Sequence, residues 1–166
     1  GKLCGLYDRV GREYYCNKVK NGAPFACGRD SSVRYRVWDE KTRSMRYRVC
    51  LAPIPVTPDT TAFEDGQWYV VTNAVPCRTI KVNGAAHLIL CDGAALTATG
   101  DDGRAGIEVA AGNALTIYGQ TLGTGELVAI GGNNGAGIGG GERVAGGTVT
   151  VHGGTVTANA GENSAG

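Results

Sequence analysis

The feature that most narrows what this chain can become is an internal repeat in its C-terminal half. Leu96-Thr97-Ala98-Thr99-Gly100-Asp101-Asp102-Gly103-Arg104-Ala105-Gly106-Ile107 returns at an offset of 31 as Leu127-Val128-Ala129-Ile130-Gly131-Gly132-Asn133-Asn134-Gly135-Ala136-Gly137-Ile138. A third copy, from Val156 to Gly166, follows at an offset of 29. Each copy is preceded by a short alternating run and a turn. These are Leu88-Ile89-Leu90 with Cys91-Asp92-Gly93, Leu115-Thr116-Ile117 with Tyr118-Gly119-Gln120, and Val149-Thr150-Val151 with His152-Gly153-Gly154. The unit reads strand, tight turn, strand, polar glycine loop, then an Ala-Gly-Ile step. Strands this short cannot bury an apolar side alone, but stacking one unit on the next pairs their edges and builds a continuous narrow core. Glycine, 28 of 166 residues, suits corners where turns require φ > 0. Proline, glycine and β-branched residues interrupt every candidate helix window.

The expected fold is therefore all-β: a right-handed parallel β-helix or solenoid over residues 68–166, with repeats of about 30 residues. The third copy stops at Ala165-Gly166, where its siblings continue with Ile107 and Ile138. A solenoid normally carries a terminal cap. The native chain is expected to continue past Gly166, leaving a truncated solenoid.

The first part of the chain has a different character. Residues 1–50 carry twelve Lys or Arg and five Asp or Glu, a net of +7, while residues 51–166 carry four and ten, a net of −6. Such asymmetry suggests separate modules, the basic one facing an anionic partner. Val33-Arg34-Tyr35-Arg36-Val37-Trp38 alternates strictly, as does Met45-Arg46-Tyr47-Arg48-Val49, with a polar turn between them. Two such strands predict a β-hairpin. Val33, Tyr35, Val37, Met45, Tyr47 and Val49 are expected on its inner face, with Arg34, Arg36, Arg46 and Arg48 together on the outer one. Residues 51–67 hold three prolines in six positions, Pro53, Pro55 and Pro58, and read as an extended linker.

The chain has six cysteines, Cys4, Cys16, Cys27, Cys50, Cys77 and Cys91, with no Cys-x-x-Cys pair. Closely paired ligands are usual for zinc, so these read as disulfides in a small module short of core, and disulfides imply an oxidising compartment. The pairing among the first four is open. A Cys77–Cys91 bridge would close the first rungs, stabilising them by roughly 3 kcal/mol. Residues 1–50 are thus expected to form a basic, disulfide-bonded β module.

Trp68-Tyr69-Val70-Val71, His87-Leu88-Ile89-Leu90-Cys91-Asp92-Gly93, Leu115-Thr116-Ile117-Tyr118-Gly119-Gln120, Gly135-Ala136-Gly137-Ile138-Gly139-Gly140-Gly141 and Gly147-Thr148-Val149-Thr150-Val151 resemble a repeat class of large surface proteins. These are glycine-rich, adhesin-like parallel β-helix proteins of bacterial and protist cell surfaces, sometimes labelled carbohydrate-binding. The resemblance covers residues 66–166 and brings no catalytic residues with it. It implies a secreted or cell-surface location and a role in cell adhesion.

The hairpin supplies the ligand-binding candidates. Arg34, Arg36, Arg46 and Arg48 can engage sulfate or carboxylate bidentately, and Trp38, with Tyr7, Tyr14 and Tyr15, offers stacking surface for sugar rings. The expected partner is an anionic glycan or a host surface protein, without nucleic acid, cofactor or membrane insertion of this fragment. No metal site is expected. Asp101, Asp102 and Glu108 are the nearest thing to a calcium set, but the matching loop carries Asn133 and Asn134. Gly135 to Gly141 lacks the Gly-Lys-Ser/Thr ending of a phosphate loop. His87 and His152 read as surface or corner residues. A glycosidase needs two positioned carboxylates, and the acids of successive repeats do not recur in register. The expected function is a non-enzymatic surface-protein fragment. The alternatives are a carbohydrate-binding accessory module of a secreted enzyme and a polysaccharide-cleaving β-helix lyase or hydrolase.

Overall fold

A computed structural model describes residues 32–164 and the short strands Val19–Lys20 and Ala23–Pro24. All regular structure among these residues is β. Strands β1 (Val19–Lys20) and β2 (Ala23–Pro24) form a minimal antiparallel pair, and β3 (Val33–Asp39) and β4 (Ser44–Cys50) form the hairpin expected from their alternation.

The remaining strands build three parallel sheets. The first stacks β5 (Ile54–Pro55), β7 (Trp68–Val71), β10 (Ala85–Leu90), β13 (Ala114–Tyr118) and β16 (Thr148–Val151). The second stacks β8 (Ala74–Cys77), β11 (Ala95–Thr99), β14 (Glu126–Ile130) and β17 (Thr155–Asn159). The third stacks β6 (Ala62–Phe63), β9 (Ile80–Val82), β12 (Ile107–Glu108) and β15 (Ile138–Gly139). From β7 onward the chain returns to each sheet in turn and adds a parallel strand beside the one laid down one circuit earlier. This connectivity is compatible with a β-helix, and the all-β, helix-free, parallel part of the expectation holds.

The repeat is the physical unit of this stacking. Leu96 pairs in register with Leu127 and Leu127 with Val156, while Ile107 pairs with Ile138. The Ala-Gly-Ile step is thus a third strand of each circuit. Alternation directs one set of side chains inward, and Leu88, Leu96, Ile107, Leu115, Ile117 and Leu127 are fully buried in one core. Each such side chain stabilises the fold by roughly 1.5–3 kcal/mol. One sequence alignment slips: Leu88 lies beside Ile117, not Leu115, and Ile89 beside Tyr118. A two-residue slip keeps every side chain on its face, which is why the pattern alone does not expose it.

Circuits this close leave no room for a side chain where backbones touch. A Cβ on Gly135 would meet the Arg104 carbonyl of the neighbouring circuit. Thr79, the only buried polar residue among those described, is satisfied by donating its hydroxyl to the Ala105 carbonyl at 2.9 Å.

Two expectations need correction here. Residues 51–67 do not stand apart as a linker, because β5 pairs with β7 and β6 with β9. Val56 and Phe63 are buried in the core, Phe63 against the Tyr69 ring at a centroid distance of 4.5 Å. Proline keeps the segment extended, and Pro55 sits on an edge strand, where a missing donor is tolerated. The segment forms the first, covering layer of the coil.

Cys50, Cys77 and Cys91 are free thiols, so the expected Cys77–Cys91 bridge does not form. Cys77 points into the core from the second sheet, its thiol 3.1 Å from the Thr57 carbonyl. Cys91 sits half-buried at the corner that follows β10 of the first sheet. Burial pushes all three thiols above their ordinary pKa. Cys4, Cys16 and Cys27 lie outside the described residues, as do Tyr7, Tyr14 and Tyr15.

Candidate functional site

The register of the hairpin decides what its arginines can do. Four residues separate Asp39 from Ser44, so Arg34 pairs with Val49, Tyr35 with Arg48, Arg36 with Tyr47, and Val37 with Arg46. Residues opposite one another in an antiparallel pair share a face. Even-numbered positions of β3 are therefore matched to odd-numbered positions of β4, and the arginines divide two and two. The expectation of four guanidinium groups on one outer face fails on this parity. Arg34 and Arg36 share the outer face with Tyr47, Met45 and Val49. Arg46 and Arg48 share the inner face with Val33, Tyr35 and Val37.

On the outer face, the guanidinium carbons of Arg34 and Arg36 lie 5.8 and 5.5 Å from the Tyr47 ring centroid. Cations over an aromatic face attract it and are held in place by it. Tyr47 is 37% exposed. Arg36 is anchored further by its Nη1, which donates to the Thr121 carbonyl at 3.3 Å. Along one strand, side chains on the same face repeat at about 6.5–7 Å, so this pair presents two cations at roughly that interval. Tyr47, expected inward, was missed as a site residue for the same reason of parity.

The inner face rests on the outside of the first parallel sheet. Val33, Tyr35, Val37 and Cys50 pack against Val70, Ile89 and Tyr118. Arg46 is engaged by Asp39 at 2.6 Å, and Arg48 donates to the Tyr47 carbonyl at 3.2 Å. The edge of β3 is fixed to the corner after β13. The Arg36 amide donates to the Gly119 carbonyl at 2.9 Å, and Gln120 Nε2 donates to the Arg34 carbonyl at 2.8 Å.

Beneath the hairpin, parallel registry builds a row of rings. His87 lies beside Trp68 in the pairing of β10 with β7, and the two stack at 4.1 Å with planes 10° apart. Tyr118 stacks on Trp68 at 5.0 Å and on His152 at 5.2 Å. Tyr35 descends from the hairpin onto both Trp68 and Tyr118, at 5.0 and 4.8 Å. The Tyr118 hydroxyl and His87 Nδ1 are 3.0 Å apart. Burial, with Tyr35 beside it, pushes the Tyr118 phenol up to about 12. Burial lowers both histidines from 6.5.

An open cleft of about 510 Å³ runs along this junction, lined by Trp38, Lys41, Arg48, Trp68 and Tyr118 among others. The ring faces of Trp68 and Tyr118 are occupied by one another and by the histidines. Trp38 is different: it stands at the end of β3 and is 41% exposed. Among the named candidates the structure thus brings Arg34 and Arg36 together outside, and places Arg48 and Trp38 at the cleft.

The acids of the coil are engaged elsewhere. Asp101 pairs with Arg78, and Glu108 with Arg104 Nε at 2.7 Å. Asp92 caps a corner by accepting from the amides of Leu122 and Thr124 at 3.0 and 3.3 Å. Among the described residues, no three His, Cys, Asp or Glu side chains are grouped to hold a metal ion. No helix among them is long and apolar enough to cross a membrane. The chain matches no protein-family model, no curated protein and no solved structure.

Proposed function

We propose that this chain is a non-enzymatic segment of a secreted or cell-surface protein, a right-handed β-helix whose basic hairpin binds an anionic glycan. The supporting observation is the outer face of the hairpin, where Arg34 and Arg36 flank the exposed Tyr47 ring. Two fixed cations beside an aromatic surface suit a sugar ring that carries sulfate or carboxylate. The hairpin segment 32–50 holds Arg34, Arg36, Lys41, Arg43, Arg46 and Arg48 against Asp39 and Glu40, a net of +4 that attracts such a polymer. The extracellular setting rests on the resemblance to surface repeat proteins. The free thiols of Cys50, Cys77 and Cys91 lend it no support.

Retention on immobilised heparin, with pectin and chitin fragments as comparisons, tests the proposal. Arg34→Ser and Arg36→Ser each weaken binding by roughly tenfold, the loss of one charge-assisted contact. Arg46→Ser changes little, because Asp39 already engages that group. No retention on any of the three polymers at low salt would discard the glycan proposal, and release of oligosaccharide products would discard its non-enzymatic part.

A further inference from the structure

We propose that His152 is a pH-sensitive latch that holds the hairpin onto the coil at neutral pH and lets it go in acid. The geometry is asymmetric between the two histidines. The backbone amide of Trp38 donates to Nδ1 of His152 at 3.2 Å, across 114 residues of chain. An imidazole nitrogen accepts only while it is unprotonated, and in the imidazolium both ring nitrogens are donors. Protonating His152 therefore sets one N–H against another and leaves the Trp38 amide without its partner. His87 behaves otherwise. Its Nδ1 faces the Tyr118 hydroxyl, which can either donate or accept, so that contact survives protonation. Both rings are stacked on an aromatic face, His87 on Trp68 and His152 on Tyr118, so the difference between them lies in the hydrogen bonds.

The latch sits where it has leverage. His152 continues the parallel ladder, its own amide donating to the Ile117 carbonyl at 2.8 Å, which fixes its ring over Tyr118. Tyr118 is in turn the ring on which Tyr35 of the hairpin rests. Further polar links from β3 to the coil run through the corner from Gly119 to Thr121. On the hairpin, Asp39, Glu40, Lys41 and Arg48 line the cleft with Trp38, and on the coil the Tyr118 ring lies against both His152 and His87. Arg46 and the amides of Lys41 and Thr42 already engage Asp39, and burial is what opposes a positive charge on His152. Burial lowers the His152 pKa below 6.5 in the docked state. The released state then binds the proton more readily. Docking is at full strength above about 6.5 and declines as pH falls through the lowered docked value.

Amide hydrogen exchange, followed residue by residue by NMR, tests this without reference to any glycan. Protection factors at Trp38 and Arg36 fall at least about tenfold between pH 7.5 and 5, while those of Leu88 and Ile117 in the coil hold. In His152→Gln, which cannot titrate, the fall disappears. In His87→Phe, which leaves the latch intact, it persists. An unchanged Trp38 protection factor in the wild-type chain overturns the proposal. So does a parallel loss in the coil, which is acid unfolding, or a fall that survives in His152→Gln. If His152→Gln does not fold, loss of the effect in His87→Phe assigns the titration to His87 and overturns it equally.

Discussion

The coil and the hairpin that lies on it are held together by different means. In the coil, circuit after circuit adds the same kind of inward side chain to one core, with each strand bonded to its neighbours above and below. The hairpin is one pair of strands, resting on Val70, Ile89 and Tyr118 and tied by a few polar links to one corner and to His152. Stability spread over a repeating array is insensitive to any one surface group. Attachment through a small cluster and a few hydrogen bonds is sensitive to each of them. Under the proposed latch, this difference lets one chain combine a rigid support with a basic element that can be released.

The largest test of this contrast concerns the segment that looked like a linker. Phe63→Ala is expected to cost about 3–5 kcal/mol of coil stability, read as a shift in the urea midpoint by circular dichroism. A cost below about 1 kcal/mol would return residues 51–67 to the status of a loose connection. A smaller and more local effect is expected from Tyr35→Ala, which removes the ring between hairpin and coil. Docking weakens by roughly 1–2 kcal/mol, seen in the fluorescence of the stacked Trp68, while the urea midpoint of the coil stays in place. If the coil midpoint falls with it, the two regions are one cooperative unit and the contrast is lost. The smallest effect is on the thiols. Reductant leaves the melting temperature of the coil unmoved, and site-resolved alkylation of Cys77 proceeds at least about tenfold more slowly in the folded chain than in urea, because the buried thiol is inaccessible and rarely ionised.

The sequence revealed those parts of the fold that are periodic. Leu96, Leu127 and Val156, and the Ile107–Ile138 step, stand at nearly constant spacing, and their registry is observed. The first circuits were illegible because their corners differ in length: Val75 precedes its partner Leu96 by 21 residues, whereas Leu96 precedes Leu127 by 31. A fixed offset cannot find a neighbour whose loop is shorter, so nothing weighed against the prolines that made residues 51–67 read as a linker; Leu88 was matched by motif to Leu115, 27 residues on, whereas its partner Ile117 lies 29 residues on. The hairpin strands were plain from alternation, yet their relative register was not, since alternation says nothing about which face of one strand meets which face of the other. Cysteine number and spacing carry no distances, and the disulfide expectation failed at Cys50, Cys77 and Cys91 for that reason. The ring row was invisible because Trp68, His87, Tyr118 and His152 meet only through parallel pairing of distant segments.

The loop between the two hairpin strands has a consequence for how binding strength can change over generations. With four residues between Asp39 and Ser44, the strands present their arginines as two pairs facing opposite ways. If the turn kept its four-residue length, a gain or loss of one codon in it would slide β4 by one place along β3 and match even positions with even. All four guanidinium groups would then gather on one side, and a two-point grip would become a four-point one without replacing a single arginine.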